Sequence, residues 1–145
     1  MTQDQMIASA RRVVEDGIGR GDLGILDELM ATDLVEHQRG NANGIGGARA
    51  VVETLHRWMP DFELTIQDIV VSGETVWTRN RARGTNTGSV MGHPPTGRTV
   101  EMDVFDVLRF ANGKVVEHWG VADQLGLLIQ LGIVPSGRSA VAPSV

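Results

Sequence analysis

Around Pro60 the apolar residues of this chain change their spacing, and the change limits the class of fold open to it. Before Pro60, Met6, Ala10, Val13 and Val14 recur at helical intervals behind a Thr2/Gln5 capping box, which predicts a first helix to about Asp16. Gly17, Gly19 and Gly21 break it, and Asp22 caps a second short helix with Leu23, Leu26 and Leu29 on its apolar side. Asp33-Leu34-Val35-Glu36-His37 reads as short and extended, and the glycine-rich run 40–47 as a loop feeding a third helix over 48–58.

After Pro60 the period is two. Phe62, Leu64, Ile66 and Ile69-Val70-Val71 mark a strand, Ser72-Gly73 a turn, and 75–83 a second strand. Much of 84–97 is loop, with four glycines and two prolines. A strand over 99–110 follows, then a hairpin turn at Ala111-Asn112-Gly113, a returning strand over 114–122, and a short helix over 124–131 closed by Gly132. Helices first and hairpin-linked strands afterwards predict an α+β fold, a curved antiparallel sheet wrapped around helices and enclosing a pocket. The 18 glycines in 145 residues suit a sheet that must bend. One domain over 1–134 and a flexible C-terminal tail over 135–145 are expected.

Charge and composition narrow the chemistry. Thirteen Lys and Arg against 18 Asp and Glu, with three Trp, three Phe and no Tyr, argue against a nucleic-acid binder. No apolar run is long enough for a membrane span, and the N-terminus lacks the pattern of a secretory signal, so the expected location is cytoplasmic. Without cysteine there is no thiolate nucleophile, disulfide or zinc–thiolate site. No histidine pair has metal-ligand spacing, and the glycine-rich run lacks the ending of a phosphate-binding loop, so neither a metal nor a cofactor is expected.

Acid–base chemistry therefore falls to Asp, Glu, His or Lys. In the strand face Met102, Val104, Asp106, Leu108, Phe110 the carboxylate is the odd member, either a poised base or half of an ion pair with an arginine. The next strand offers two parities. Either Trp119 and Val121 line the cavity with Asp123 at its mouth, or His118 and Gly120 do. Asp123 also stands where an aspartate would cap the following helix. His37, before the glycine-rich loop, would cover a pocket entrance, and Arg79, Trp58 and Trp119 complete the candidate substrate-binding set.

The C-terminal half, with Thr96-Gly97-Arg98, Asp106-Val107-Leu108-Arg109, Asn112-Gly113-Lys114-Val115-Val116-Glu117-His118-Trp119, Asp123, Leu127-Leu128 and Gln130-Leu131-Gly132, resembles the SnoaL-like polyketide cyclase family. Asp33-Leu34-Val35-Glu36-His37, Pro60-Asp61 and Arg83-Gly84-Thr85 with Gly88 and Gly92 are in keeping, and the likeness spans roughly residues 3–133. The resemblance implies the cone-shaped α+β barrel of nuclear transport factor 2-like proteins. It also implies cofactor-independent, aldol-type ring closure of a polyketide or similar hydrophobic carbonyl substrate, with Asp123 as acid and base. His118 and Asp106 stand beside it as further catalytic candidates. Two alternatives carry different expectations: an epoxide hydrolase of the limonene-epoxide type, in which Asp106, Arg79 and Asp123 would activate water, and a non-catalytic small-ligand binder. A homodimer or higher homo-oligomer is expected through the outer face of the sheet, where Phe105 and Val107 lie.

Overall fold

The computed structural model describes residues 1–137. Of the tail expected over 135–145, residues 138–145 lie outside the described residues. The architecture is α+β: helices pack into the concave side of a curved, unclosed five-stranded sheet of order β1-β5-β4-β3-β2. Helix α1 (Gln3–Arg11) starts at the Thr2/Gln5 capping box and runs into a π-helical segment, Arg12–Gly19, rather than ending near Asp16. There α2 (Leu23–Leu29) follows, capped by Asp22, whose side chain accepts from the Gly24 N–H.

The π-helical segment has a packing reason. Its Glu15 side chain accepts the Ile66 N–H at 3.0 Å, next to the register shift of β2 (Glu63–Ser72), and so ties the wide turn to the bend of the sheet. Gly19 lies so near this strand that a Cβ there would stand 2.9 Å from the Leu64 nitrogen. Ala10, Val13, Val14 and Leu26, all fully buried, fill the space between helices and sheet.

Strand β1 (Met30–Glu36) departs from the all-antiparallel expectation, because it pairs in parallel with β5 (Lys114–Ala122), Glu36 opposite His118. Hydrophobic alternation marks a strand and leaves its partner and direction open, so this pairing was not legible locally. Helix α3 (Gly44–Trp58) begins inside the run expected as loop, its glycines forming the first turn. Strands β3 (Thr75–Thr85), β4 (Thr99–Ala111) and β5 follow the predicted spans within two residues. Asn112 and Gly113, with φ of 51° and 77°, form the tight turn between β4 and β5. Helix α4 (Gln124–Gln130) closes one end of the cone. No helix among the described residues is long and apolar enough to cross a membrane.

Candidate active site

Between α3, α4 and the concave face of the sheet lies a cavity of about 820 Å³. Its apolar wall includes Leu26, Leu55, Trp58, Phe62, Met102 and Leu127, and its polar residues cluster at the end of β1 and on β4 and β5. The side-chain period of a strand decides which residues reach it. On β4 the inward set contains Asp106, which is 4% exposed, and on β5 it contains His118, which is 7% exposed, followed by Gly120. Trp119 and Val121 take the outward parity, with Val121 also bordering the cavity.

These strands assemble a buried relay. His118 donates from Nδ1 to Glu36 Oε1 and Oε2 at 2.8 and 2.9 Å, and from Nε2 to Asp106 Oδ1 at 2.8 Å. Asn80, fully buried on β3, donates from Nδ2 to Asp106 Oδ2 at 2.8 Å and to Thr78 Oγ1 at 3.0 Å. With a carboxylate at each ring nitrogen, both nitrogens must carry hydrogen, so the geometry calls for imidazolium. Burial pulls this cation's pKa down, but the hydrogen bonds and charges of Asp106 and Glu36 outweigh it and raise His118 to about 9. For Glu36 burial works upward, and His118 with the Gln38 and His37 backbones outweighs it and holds the carboxyl below its usual range. One cation between two carboxylates leaves the cluster with a surplus negative charge.

The candidate residues fall in different places. Asp106 and His118 meet on the cavity wall, and the partner of Asp106 is a histidine rather than an arginine. Trp58 also lines the cavity. Asp123 is exposed and caps α4, its Oδ1 accepting the Gly126 N–H at 3.0 Å. Arg79, expected at the substrate, instead points outward and pairs with Asp68 at 2.6 Å. Trp119, also expected there, faces outward and stacks on His37 with ring centroids 4.6 Å apart. His37 borders the cavity through its segment, while its Nε2 meets Glu117 at 2.7 Å. An Asp106, Arg79 and Asp123 water-activating set is therefore not assembled. Two members of the relay were missed in the sequence. Asn80 is hidden in the inward parity between the more visible Arg79 and Arg81, and Glu36 sits one residue before His37.

The sequence matches the family model of the SnoaL-like polyketide cyclases over residues 8–131. No curated protein matches it. Among solved structures it is similar to IdmH, a candidate polyketide cyclase from Streptomyces antibioticus, at 36% identity over 87% of this chain and 97% of that one, with a TM-score of 0.78. AclR, a candidate hydroxylase from Streptomyces galilaeus, is 28% identical over 94% of this chain and 87% of its own, with a TM-score of 0.84. TsrD from Streptomyces laurentii is 25% identical over 92% and 99% of the two chains, with a TM-score of 0.83. With its cone-shaped, nuclear transport factor 2-like fold and a family match over most of its length, the chain belongs to the SnoaL-like polyketide cyclase family and, at that coarse level, is an enzyme of cyclase or related activity.

Proposed function

We propose that the protein closes a ring in a hydrophobic polyketide-like substrate by intramolecular aldol-type addition without a cofactor, with Asp106 as the acid and base. The observation that carries this reading is the Asp106–His118–Glu36 relay on the wall of an otherwise largely apolar cavity. A carboxylate on the wall of such a cavity accepts a proton from the carbon next to a carbonyl and returns it to the new aldol oxygen. His118 holds Asp106 in place, and the apolar wall folds the chain so that its reacting carbons meet. Asp123, which the family resemblance favours, is already committed to the α4 N-terminus, so the acid–base role goes to Asp106.

Incubation in D2O with an aromatic β-keto methyl ester that carries a further ring carbonyl within reach of its acidic carbon tests this. The expected result is deuterium entering the carbon between the two carbonyls faster than in the enzyme-free control, and a ring-closed product isomeric with the substrate. Binding of the ester with no closure and no exchange above the enzyme-free rate would instead identify a ligand-binding protein.

We further propose that a second copy of the chain covers the outer face of the sheet. Trp77 and Phe105, each 53% exposed, and Val121, 72% exposed, line an apolar groove there of about 640 Å³. Ion pairs of both signs, Arg79–Asp68 and Arg109–Glu117, flank it, and such a mixed rim complements itself across a two-fold axis. Light scattering at micromolar concentration is expected to give twice the 15.6 kDa chain mass, falling to the single-chain mass in Phe105→Glu. A monomeric wild type would remove the idea.

A further inference from the structure

Proton removal from carbon sends negative charge to the substrate's carbonyl oxygen, which then needs a hydrogen-bond donor. His118 cannot be that donor, since both of its N–H groups already serve Glu36 and Asp106. Gln38 stands where one is needed. The alternation of β1 continues past its end: Glu36 faces inward to His118, His37 outward to Trp119, and Gln38 inward to Gly120. The Gln38 backbone N–H donates to Glu36 Oε1 at 2.8 Å, which fastens this segment to the relay. Its half-buried side-chain amide, on the cavity wall, makes no hydrogen bond to any described residue.

Gly120 lies opposite Asp106 in the β4–β5 ladder. A Cβ on it would overlap Gln38 Oε1, and would stand 2.9 Å from His118 Cε1 and 3.0 Å from Asp106 Oδ1. The amide therefore occupies the space that a side chain at 120 would fill, directly beside the relay. Having no partner among the described residues, it can turn either end, carbonyl or NH2, toward a ligand.

We propose that the Gln38 amide donates to the substrate's carbonyl oxygen as charge develops on it, and that Gly120 keeps the space this amide needs. The inference rests on the reading that Asp106 takes the proton. In the step, the C–H pair becomes the enolate double bond, the carbonyl π pair moves to oxygen beneath the Gln38 N–H, and the proton goes to Asp106. On ring closure the enolate carbon attacks the second carbonyl, whose oxygen takes the proton back.

A cyano-substituted 2-naphthol tests the donor directly, because its phenolate imitates the enolate and its absorbance distinguishes phenolate from phenol. Binding is measured in Asp106→Asn, whose amide imitates the protonated base, with 2-methoxynaphthalene as a ring of similar shape without an ionisable oxygen. The expected result is that the probe binds as phenolate, and that adding Gln38→Leu or Gly120→Ala weakens it by at least about tenfold and leaves the bound fraction as neutral phenol. Gln38→Glu should exclude the phenolate entirely, and methoxynaphthalene affinity should stay within about twofold throughout. Phenolate binding that is unchanged in Gln38→Leu overturns the inference whatever Gly120→Ala does, because the added Cβ also meets His118 Cε1 and Asp106 Oδ1. So does an equal loss for methoxynaphthalene, or a parent that binds no phenolate. If phenolate binding depends on Gln38 while Asp106→Asn keeps wild-type deuterium exchange, the assignment of Asp106 fails and that of Gln38 stands.

Discussion

Replacing His118 by alanine is expected to destabilise the protein by about 3–5 kcal/mol, the range for deleting one partner of a buried ion pair. Glu36 and Asp106 would then face each other across the gap with no cation between them, and among the described residues Asp106 would keep its Asn80 contact alone. The same interaction gives wild-type stability a definite pH dependence. The folded-state pKa of His118, about 9, lies above the ordinary 6.5, so the folded form binds the proton more tightly than the unfolded chain. Its contribution is complete below about pH 6.5 and is lost as pH rises through about 9. Glu36, with its pKa lowered, behaves in the opposite sense and loses its contribution as pH falls below its ordinary value of 4.5. Thermal melts from pH 5 to 10 should show the wild type declining across the alkaline half, and His118→Gln melting lower without that decline. A wild type with a flat alkaline half would mean that His118 is neutral in the fold.

Asp106→Asn should lower the rate of ring closure by about 10²–10⁴, the usual span for loss of a positioned acid–base group, with little change in KM. The substitution is nearly isosteric and leaves an acceptor for the His118 Nε2–H. Asn80 favours it further. Its Oδ1 is buried without a partner among the described residues, and turning its amide would let that oxygen accept from the new NH2. A folded, inactive variant is thus the expected outcome, with melting used to confirm the fold. Asp123→Asn is the matched control, because asparagine caps a helix about as well as aspartate, so α4 should keep its start. Its activity is expected to stay within a few-fold of wild type. If Asp123→Asn is inactive and Asp106→Asn is not, the acid–base role belongs to Asp123, and the carboxylate must leave its cap to reach the substrate.

The sequence carried local information, and local physics explains how much of the fold was legible in it. A period of two in Met102, Val104, Asp106, Leu108 and Phe110 both marks β4 and isolates Asp106 on its buried face, so the carboxylate was visible before any partner was. Asn112-Gly113 fixed the turn, since few residues accept positive φ at two successive positions, and Thr2 and Asp22 marked helix starts by the oxygen each offers to a free N–H. The motif around Glu117-His118-Trp119 named the family, and the match over residues 8–131 agrees.

What the chain alone left open was which groups meet. Residues 36, 80, 106 and 118 come from four strands, and only the register among β1, β3, β4 and β5 places them in one chain of hydrogen bonds. Parity within a strand is a local property, but which parity faces the cavity depends on the helices packed against the sheet. Trp119 and Arg79, the more conspicuous residues, therefore went to the outer face, while His118 and Asn80 went to the inner one. The parallel pairing of β1 with β5 was equally invisible, and it alone carries Glu36 to His118 and Gln38 to Gly120. Periodicity and turn chemistry act over a few residues and can be read from order, whereas the charge state of His118 depends on carboxylates 12 and 82 residues away that only the closed fold brings to its ring.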